Sequence, residues 1–191
     1  MGELKGSKTE TNILTAFAGE SQARNRYSFA AKAAKKEGFV QIAAIFERTA
    51  EQERAHAKSL FKLLEGGEVR VCASFPAGTI GNTMENLEAA AAGEEYEYKE
   101  MYTEFAEVAQ QEGFPVIAAI FTAIAKAEKQ HAKQYRDFIA NLKEGKVFKR
   151  EDTAVWYCSK CGYIHEGVEP PKKCPACAHP TAYFELLGEN W

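Results

Sequence analysis

The sequence has no large surplus of charge of either sign and no long apolar run, and each absence excludes a class of protein. Its 24 lysines and arginines are nearly balanced by 27 aspartates and glutamates, so it lacks the basic excess with which proteins bind nucleic acid. No apolar stretch approaches the roughly 20 residues of a membrane-spanning helix, and residues 1–9 are too polar for the core of a signal peptide. We therefore expect a soluble cytoplasmic protein whose partners include neither nucleic acid nor a membrane.

Cysteine is scarce in most of the chain, where Cys72 stands alone, and is concentrated near the C-terminus. There the pattern is Cys158-x-x-Cys161 followed by Cys174-x-x-Cys177. In a reducing compartment such a cluster indicates metal binding rather than disulfides. Each pair can place two thiolates on one ion, so two pairs complete a tetrahedral site of four sulfurs. The spacing is compatible with zinc or iron. We expect Cys72 to be incidental.

Most of the remaining sequence is a repeat with an offset of 75 residues. The segment 37–58 is identical to 112–133 at 13 of 22 positions, which indicates one structural unit used twice. Each unit is predicted to be two helices that are joined at Gly38 or at Gly113, where glycine can take the left-handed conformation that ends a helix. Capping-box patterns, Ser7-x-x-Glu10 and Asn82-x-x-Glu85, begin the two units. The second helix of each unit is expected to end near Gly66 or Gly145.

The segment 66–81 is rich in glycine and predicts a loop between the two units. Its 16 residues can span about 50 Å at about 3.3 Å each, which exceeds the roughly 40 Å length of the preceding helix. The loop can therefore run back along the helices. Residues 1–146 are predicted to form an all-α ferritin-like four-helix bundle with one long crossover, and residues 147–191 a small separate metal module.

Each repeat carries a Glu-x-x-His motif in its second helix, Glu53 with His56 and Glu128 with His131. This spacing places both side chains on one helix face, and apolar residues earlier in the helix fall on the same face, so the motif points inward. Buried carboxylates without a cation would be very costly. The alternative of solvated surface charges is disfavoured because the motif recurs at the repeat offset.

The first helix of each unit adds one glutamate, Glu20 or Glu94, and each follows a glycine. Two Glu-x-x-His pairs with one glutamate from each of the other helices are the ligand set of di-iron carboxylate bundles. Carboxylate with imidazole favours iron, manganese or zinc over calcium or magnesium. At the strict offset, Glu20 corresponds to Glu95 rather than Glu94, so Glu95 stays an alternative ligand unless a local bulge in the third helix absorbs the slip.

Glu97 makes the predicted site asymmetric. It follows Glu94 by three residues on the same helix face, near the place where the first unit has Ala23. The site therefore has one carboxylate more than two-fold symmetry requires. An ion with Glu97 on one side and His56 on the other could move between them as its charge changes, because carboxylate suits ferric iron and imidazole suits ferrous iron.

Five aromatic residues are expected to support the two sites. Tyr27 and Tyr102 recur at the repeat offset near the ligands, where their hydroxyls could hydrogen-bond the ligating carboxylates; plain core packing is the alternative. Trp156, Tyr157 and Tyr163 are expected to form the small core of the cysteine module.

On these motifs the chain resembles the rubrerythrin family over essentially its whole length. The resemblance implies iron in both places, as a non-haem di-iron centre in the bundle and one rubredoxin-type Fe(Cys)4 at the four cysteines. The implied di-iron ligands are Glu20, Glu53, Glu94, Glu97, Glu128 and His131, with His56 entering when the site is reduced.

The resemblance also implies an activity, namely reduction of hydrogen peroxide to water in protection against oxidative stress. Electrons would enter at the cysteine-bound iron from a donor such as rubredoxin or an NAD(P)H-dependent reductase, and the protein would be a head-to-tail homodimer. A ferroxidase or iron-handling role is the alternative. The cysteine module argues against it, because an iron-storage protein does not need a separate site of electron entry. A non-redox protein with zinc at both sites is the third possibility.

Overall fold

The computed structural model describes residues 3–189 and shows four helical rods followed by a small β module. The third rod is continuous, because a π-helical segment joins α3 to α4. In chain order the helical elements are α1 (Lys8–Lys36), α2 (Val40–Phe61), α3 (Thr83–Tyr96), the π-helical segment (Glu97–Met101), α4 (Tyr102–Gln111) and α5 (Pro115–Lys143). This arrangement confirms the predicted ferritin-like bundle with one long crossover. Among the described residues, no helix has both the length and the apolar character of a membrane-spanning segment.

The helices end where their sequences allow the backbone to turn. Gly38 and Gly113 have φ angles of 88° and 85°, in the left-handed region that glycine adopts at low cost. Helix α2 ends at Phe61, earlier than expected, because the amides of Leu63 and Leu64 bond to carbonyls three residues back and tighten the chain. Both leucines then pack against the core of the bundle.

The two repeats cap each other's helices in a reciprocal way. The Glu112 carboxylate, just after α4, accepts hydrogen bonds from the backbone N–H of Thr9 at 2.8 Å and from the Thr9 hydroxyl at 2.5 Å. The Glu37 carboxylate, just after α1, accepts from the backbone N–H of Thr83 at 3.1–3.2 Å. Each glutamate therefore satisfies amides at the start of a helix in the other repeat, where they have no partner within their own helix.

The apolar core forms two clusters at opposite ends of the bundle, with a polar layer between them. In α1, the residues before Glu20 belong to one cluster and those after it belong to the other. The same division occurs around Glu53 in α2, around Glu94 in the third rod and around Glu128 in α5. The four glutamates therefore lie at one level, near the middle of the bundle.

The C-terminal module is a three-stranded antiparallel sheet with the order β2–β1–β3, made of β1 (Ala154–Cys158), β2 (Ile164–Gly167) and β3 (Phe184–Leu186). Trp156 is fully buried and donates its indole N–H to the carbonyl of Gly167 at 2.9 Å. Tyr163 packs against this core as expected, but Tyr157 lies outside it, so that prediction is wrong. Successive strand residues face opposite sides of a sheet, so Tyr157 points away while its neighbours Trp156 and Cys158 point inward.

The module packs against the end of the bundle where α1 turns into α2. The rings of Phe39 and Phe148 are stacked, with centroids 6.1 Å apart and an interplanar angle of 4°. The position of a Cβ on Gly38 would be 3.8 Å from the side chain of Ala182. Because Glu53 lies 14 residues beyond Phe39, the module contacts the bundle about 20 Å along the helix axis from the polar layer.

Candidate metal centres

The polar layer of the bundle contains four buried carboxylates, one from each helical rod. Glu20, Glu53, Glu94 and Glu128 are at most 1% exposed. The 3.6-residue period of a helix turns each of them inward together with its apolar neighbours. Such a group of charges is stable only with compensating cations, because an isolated buried carboxylate is extremely costly.

The ligand atoms of this layer converge in two groups that share two residues. One group contains Glu20 and His56, and the other contains Glu94 and His131. Glu53 and Glu128 belong to both groups, and the ligand atoms within each group lie within 4.8 Å of one another. Two shared carboxylates with separate terminal ligands make a geometry suited to two adjacent ions with bridging carboxylates between them.

His131 approaches three carboxylates without forming a hydrogen bond to any of them. Its Nδ1 lies 2.8 Å from Oε2 of Glu128, 3.2 Å from Oε1 of Glu53 and 3.6 Å from Oε2 of Glu94. None of these four atoms has a partner in hydrogen-bonding geometry among residues 3–189. The lone pairs therefore point at a common centre, as they would around a metal ion.

His56 occupies the corresponding place in the other group. Its Nδ1 lies 2.9 Å from Oε1 of Glu128, 3.0 Å from Oε2 of Glu53 and 3.8 Å from Oε2 of Glu20. The side chain of His56 is 17% exposed, whereas that of His131 is 6% exposed. The His56 group is thus the more open of the two.

The charges and donors of the layer fit two divalent cations. The four carboxylates carry four negative charges, which two divalent ions would neutralise. Several of their atoms lack hydrogen-bond partners within the described part of the chain, namely Glu20 Oε2, Glu53 Oε1, Glu94 Oε2 and both oxygens of Glu128. Mixed carboxylate and imidazole donors favour transition metals over calcium or magnesium.

The electrostatics of the layer show how strongly it needs positive charge. Burial raises the pKa of Glu94 to about 8, although His131 acts against this shift. Burial also opposes ionisation of Glu53, but contacts with His131 and His56 outweigh it and lower its pKa to about 2. Burial would lower the pKa of His131, yet contacts with Glu128, Glu53 and Glu94 raise it to about 12. The buried carboxylates thus favour positive charge at this level of the bundle.

Two buried tyrosines hold carboxylates of the opposite repeat. The hydroxyl of Tyr27, in α1, donates to Oε1 of Glu94 at 2.5 Å. The hydroxyl of Tyr102, at the start of α4, donates to Oε1 of Glu20. Both bonds leave the second oxygen of each glutamate facing the cluster, so the tyrosines orient these carboxylates toward the predicted ions.

The π-helical segment accounts for the change in repeat offset between Glu94 and Tyr102. Glu94 precedes it and follows Glu20 by 74 residues, whereas Tyr102 comes directly after it and follows Tyr27 by 75. A π-helical turn accommodates one extra residue within a helix. Glu94 consequently faces the cluster, while Glu95 lies at the surface and accepts hydrogen bonds from Arg136 at 2.7 Å and from Lys99 at 3.0 Å.

Glu97 begins the π-helical segment but is not among the converging ligand atoms. Burial, followed by the charges of Glu94 and Glu20, raises its pKa well above the usual range. The structure thus shows His56 within the cluster and Glu97 beside it.

The four cysteines of the C-terminal module form a second site. Sγ of Cys158 lies 3.9 Å from Sγ of Cys177, and Sγ of Cys161 lies 3.7 Å from Sγ of Cys174. These separations exclude disulfides, whose sulfurs are about 2.05 Å apart. They match the roughly 3.8 Å expected between sulfurs around a tetrahedral metal with bonds of about 2.3 Å. Burial opposes ionisation of Cys174, but backbone amides of Cys177 and Ala176 lower its pKa to about 7.

Comparison with known proteins decides which family has this pair of sites. Residues 11–139 match the family model described as Rubrerythrin, and residues 156–185 match the model of the rubrerythrin rubredoxin-like domain. The chain belongs to the rubrerythrin family. It is 60% identical to rubrerythrin of Nitratidesulfovibrio vulgaris over the full length of both chains. It is 55% identical to rubrerythrin of Porphyromonas gingivalis, with 98% of this chain and 94% of that protein covered.

Solved structures of related proteins have the same fold. Fully reduced, all-ferrous nigerythrin has a TM-score of 0.63 and 33% identity, with 97% of this chain and 92% of that chain covered. Dithionite-reduced symerythrin from Cyanophora paradoxa has a TM-score of 0.63 and 26% identity, with 71% and 86% covered. As in the rubrerythrin family, the bundle of this chain has a di-iron site at its Glu/His cluster, and the C-terminal module has a rubredoxin-like iron site at its four cysteines.

One contact of this rubrerythrin-family site could not be found from the sequence. Oε1 of Gln52, on α2, lies 3.1 Å from Nε2 of His131, on α5. The hydrogen bond directs the other ring nitrogen of His131 toward the cluster. Gln52 differs from its counterpart in the repeat, Ala127, but that difference alone does not indicate a partner on another helix.

Proposed function

We propose that this protein reduces hydrogen peroxide to water at the Glu/His cluster, with electrons that enter one at a time through the four-cysteine module. The observation that carries the proposal is the pairing of two adjacent ligand groups, which share Glu53 and Glu128, with a separate tetrad of sulfurs. The reaction consumes two electrons and two protons for each peroxide and yields two waters. When bound, a pair of ferrous ions supplies both electrons at once.

The chain's own residues would have distinct roles in this reaction. We propose Glu53 and Glu128 as bridging ligands, since each belongs to both groups. Glu20 would be the terminal carboxylate beside His56, and Glu94 the terminal carboxylate beside His131. Tyr102 and Tyr27 would hold these two terminal carboxylates in place.

Glu97 is proposed as an additional ligand that replaces His56 when the site is oxidised. Glu97 is half-buried and close enough for the charges of Glu94 and Glu20 to affect its ionisation. A fifth carboxylate in the oxidised state would compensate the higher charge of ferric iron. His56 is the more exposed histidine, which is consistent with its being the ligand that leaves.

A head-to-tail homodimer is the proposed route for electrons from the cysteines to the cluster. Within one chain the module contacts the bundle at Phe39, about 20 Å along α2 from the level of Glu53. The module of a partner chain could approach the cluster more closely. Mixing a variant that lacks Cys161 with one that lacks Glu128 tests this idea, because mixed dimers would regain turnover only if electrons cross between chains.

The source of the electrons is proposed to be rubredoxin or an NAD(P)H-dependent reductase in the cytoplasm, where thiolates stay available for metal.

The division of the chain into residues 1–146 and 147–191 also stays a prediction. In the structure the last helix ends at Lys143 and the first strand begins at Ala154, on either side of that boundary.

The deciding experiment is rapid mixing of the anaerobically reduced protein with peroxide, and separately with dioxygen. Ferric iron bound by four thiolates is red, so colour reports electron flow out of the module. Fast return of colour with peroxide, slow return with dioxygen and sustained turnover with reductant would support the peroxidase. A response to dioxygen alone would favour the ferroxidase or iron-handling alternative that the ferritin-like bundle allows. A colourless protein would indicate zinc.

A further inference from the structure

The two histidines of the cluster differ in what contacts their outward nitrogen. Nε2 of His131 lies 3.1 Å from Oε1 of Gln52, the residue before Glu53. The corresponding residue in the second repeat, 75 positions later, is Ala127. Its methyl group cannot accept a hydrogen bond. Among the described residues, His56 has hydrogen-bonding contact through Nδ1 alone.

This difference affects how firmly each ring is held. An imidazole that donates its Nε2–H to a protein acceptor keeps its proton on that nitrogen, so the Nδ1 lone pair faces the metal. The acceptor also limits rotation of the ring. His131 has this support and is 6% exposed, whereas His56 lacks it and is 17% exposed.

We propose that Gln52 positions His131 as a permanent ligand. Ala127 offers His56 no such hydrogen bond, so His56 can dissociate from its ion. The inference rests on the proposed di-iron function, and it identifies which of the two ions is labile and why. Glutamine at both positions would give both histidines the same support. The difference between Gln52 and Ala127 thus adds to the asymmetry that Glu97, which has no counterpart in the first repeat, already gives the site.

Iron release tests the proposal without any peroxide. The reduced protein is mixed anaerobically with excess ferrous chelator, and iron that remains at the cysteines is measured by its red colour after reoxidation. We expect two release phases from the cluster of the natural protein. Gln52→Leu should accelerate the slow phase by about 10–100-fold, the usual effect of removing such a supporting contact. Ala127→Gln should slow the fast phase.

Two variants separate positioning from general damage. Gln52→Glu keeps an acceptor at the same reach and should release iron as the natural protein does. Gln134→Leu removes another glutamine, whose Oε1 accepts from Arg48 at 3.1 Å at the surface, and should leave both phases unchanged. The thermal midpoint of the metal-free protein should be the same for all four variants within about 2 °C.

Some outcomes would overturn the inference. A single release rate in the natural protein, or equal acceleration of both phases by Gln52→Leu, would show that the histidines are equivalent. Failure of Gln52→Glu to restore slow release would show that hydrogen bonding to His131 is not the cause. Because chelation needs no oxidant, the release rates stay informative even if peroxide proves to be the wrong substrate.

Discussion

The hydroxyl of Tyr27 donates a hydrogen bond of 2.5 Å to Oε1 of Glu94, which lies in the other repeat. The bond joins α1 to α3 within the buried polar layer and leaves Oε2 of Glu94 facing the cluster. Its counterpart joins Tyr102 to Glu20 in the opposite direction across the repeats. The metal-binding geometry therefore depends on contacts between the halves as much as on the ligands themselves.

Removing the Tyr27 hydroxyl should weaken iron binding more than it weakens folding. In Tyr27→Phe, Glu94 loses the donor that orients it, and supporting contacts of this kind affect metal affinity by about 10–100-fold. Anaerobic titration of metal-free protein with ferrous iron measures the change. Tyr157→Phe alters a tyrosine outside the core of the module and far from the cluster, so this variant should bind iron at the cluster normally. Equal losses of iron affinity in the two variants would contradict this account.

Glu94 should make the stability of the metal-free protein fall as pH rises. Its pKa is raised from 4.5 to about 8 on folding, so between these values the folded state binds the proton and the unfolded state does not. Proton binding to Glu94 therefore stabilises the folded state fully below the unfolded pKa, and this stabilisation is lost as pH rises toward the folded pKa. Glu94→Gln cannot ionise.

At pH values near 8, metal-free Glu94→Gln should therefore be more stable than the natural protein by about 1–3 kcal/mol. Near pH 5 the two proteins should differ little. Urea unfolding at the two pH values measures this. The order should reverse with iron bound, because the amide is a poorer ligand. A constant difference across the pH range would show that Glu94 does not titrate in this window.

The reciprocal caps should contribute measurably to stability. Glu112→Ala removes the acceptor of the Thr9 backbone N–H and hydroxyl, and loss of a helix cap costs about 0.5–2 kcal/mol. Glu107→Ala, an exposed neighbour on α4, is the matched control and should fall within about 0.5 kcal/mol of the natural protein. Chemical denaturation provides both values, and equal effects would contradict a capping role.

The four-cysteine module should be required for turnover but not for a single oxidation of the cluster. Cys161→Ser should lose the red colour and sustained peroxide reduction with an external donor. It should still consume one peroxide per reduced cluster, because the bundle ligands are intact. Cys72→Ser removes an exposed cysteine of the crossover and should behave as the natural protein does; loss of colour there would give Cys72 an unexpected role.

Much of the fold was predictable because it depends on local patterns. Four rods and their turns were predicted from the capping residues, the glycines at the helix ends and the 75-residue repeat. The two Cys-x-x-Cys pairs predicted the sulfur tetrad. The early end of α2 at Phe61 was not predicted, because tight turns at Leu63 and Leu64 replace helical bonds there. The place of Tyr157 in the core of the module was predicted wrongly, because the presence of aromatic residues does not reveal which face of a strand is covered.

The sequence by itself determined which residues could be ligands, since residue type, helical period and repetition are all properties of the chain. Only the tertiary structure decided which of them meet. The π-helical segment turns Glu94 rather than Glu95 toward the cluster, and the packing of α2 against α5 brings Gln52 to His131. Such contacts join residues far apart in the chain, and their geometry depends on how whole helices rotate and pack, which no local pattern specifies.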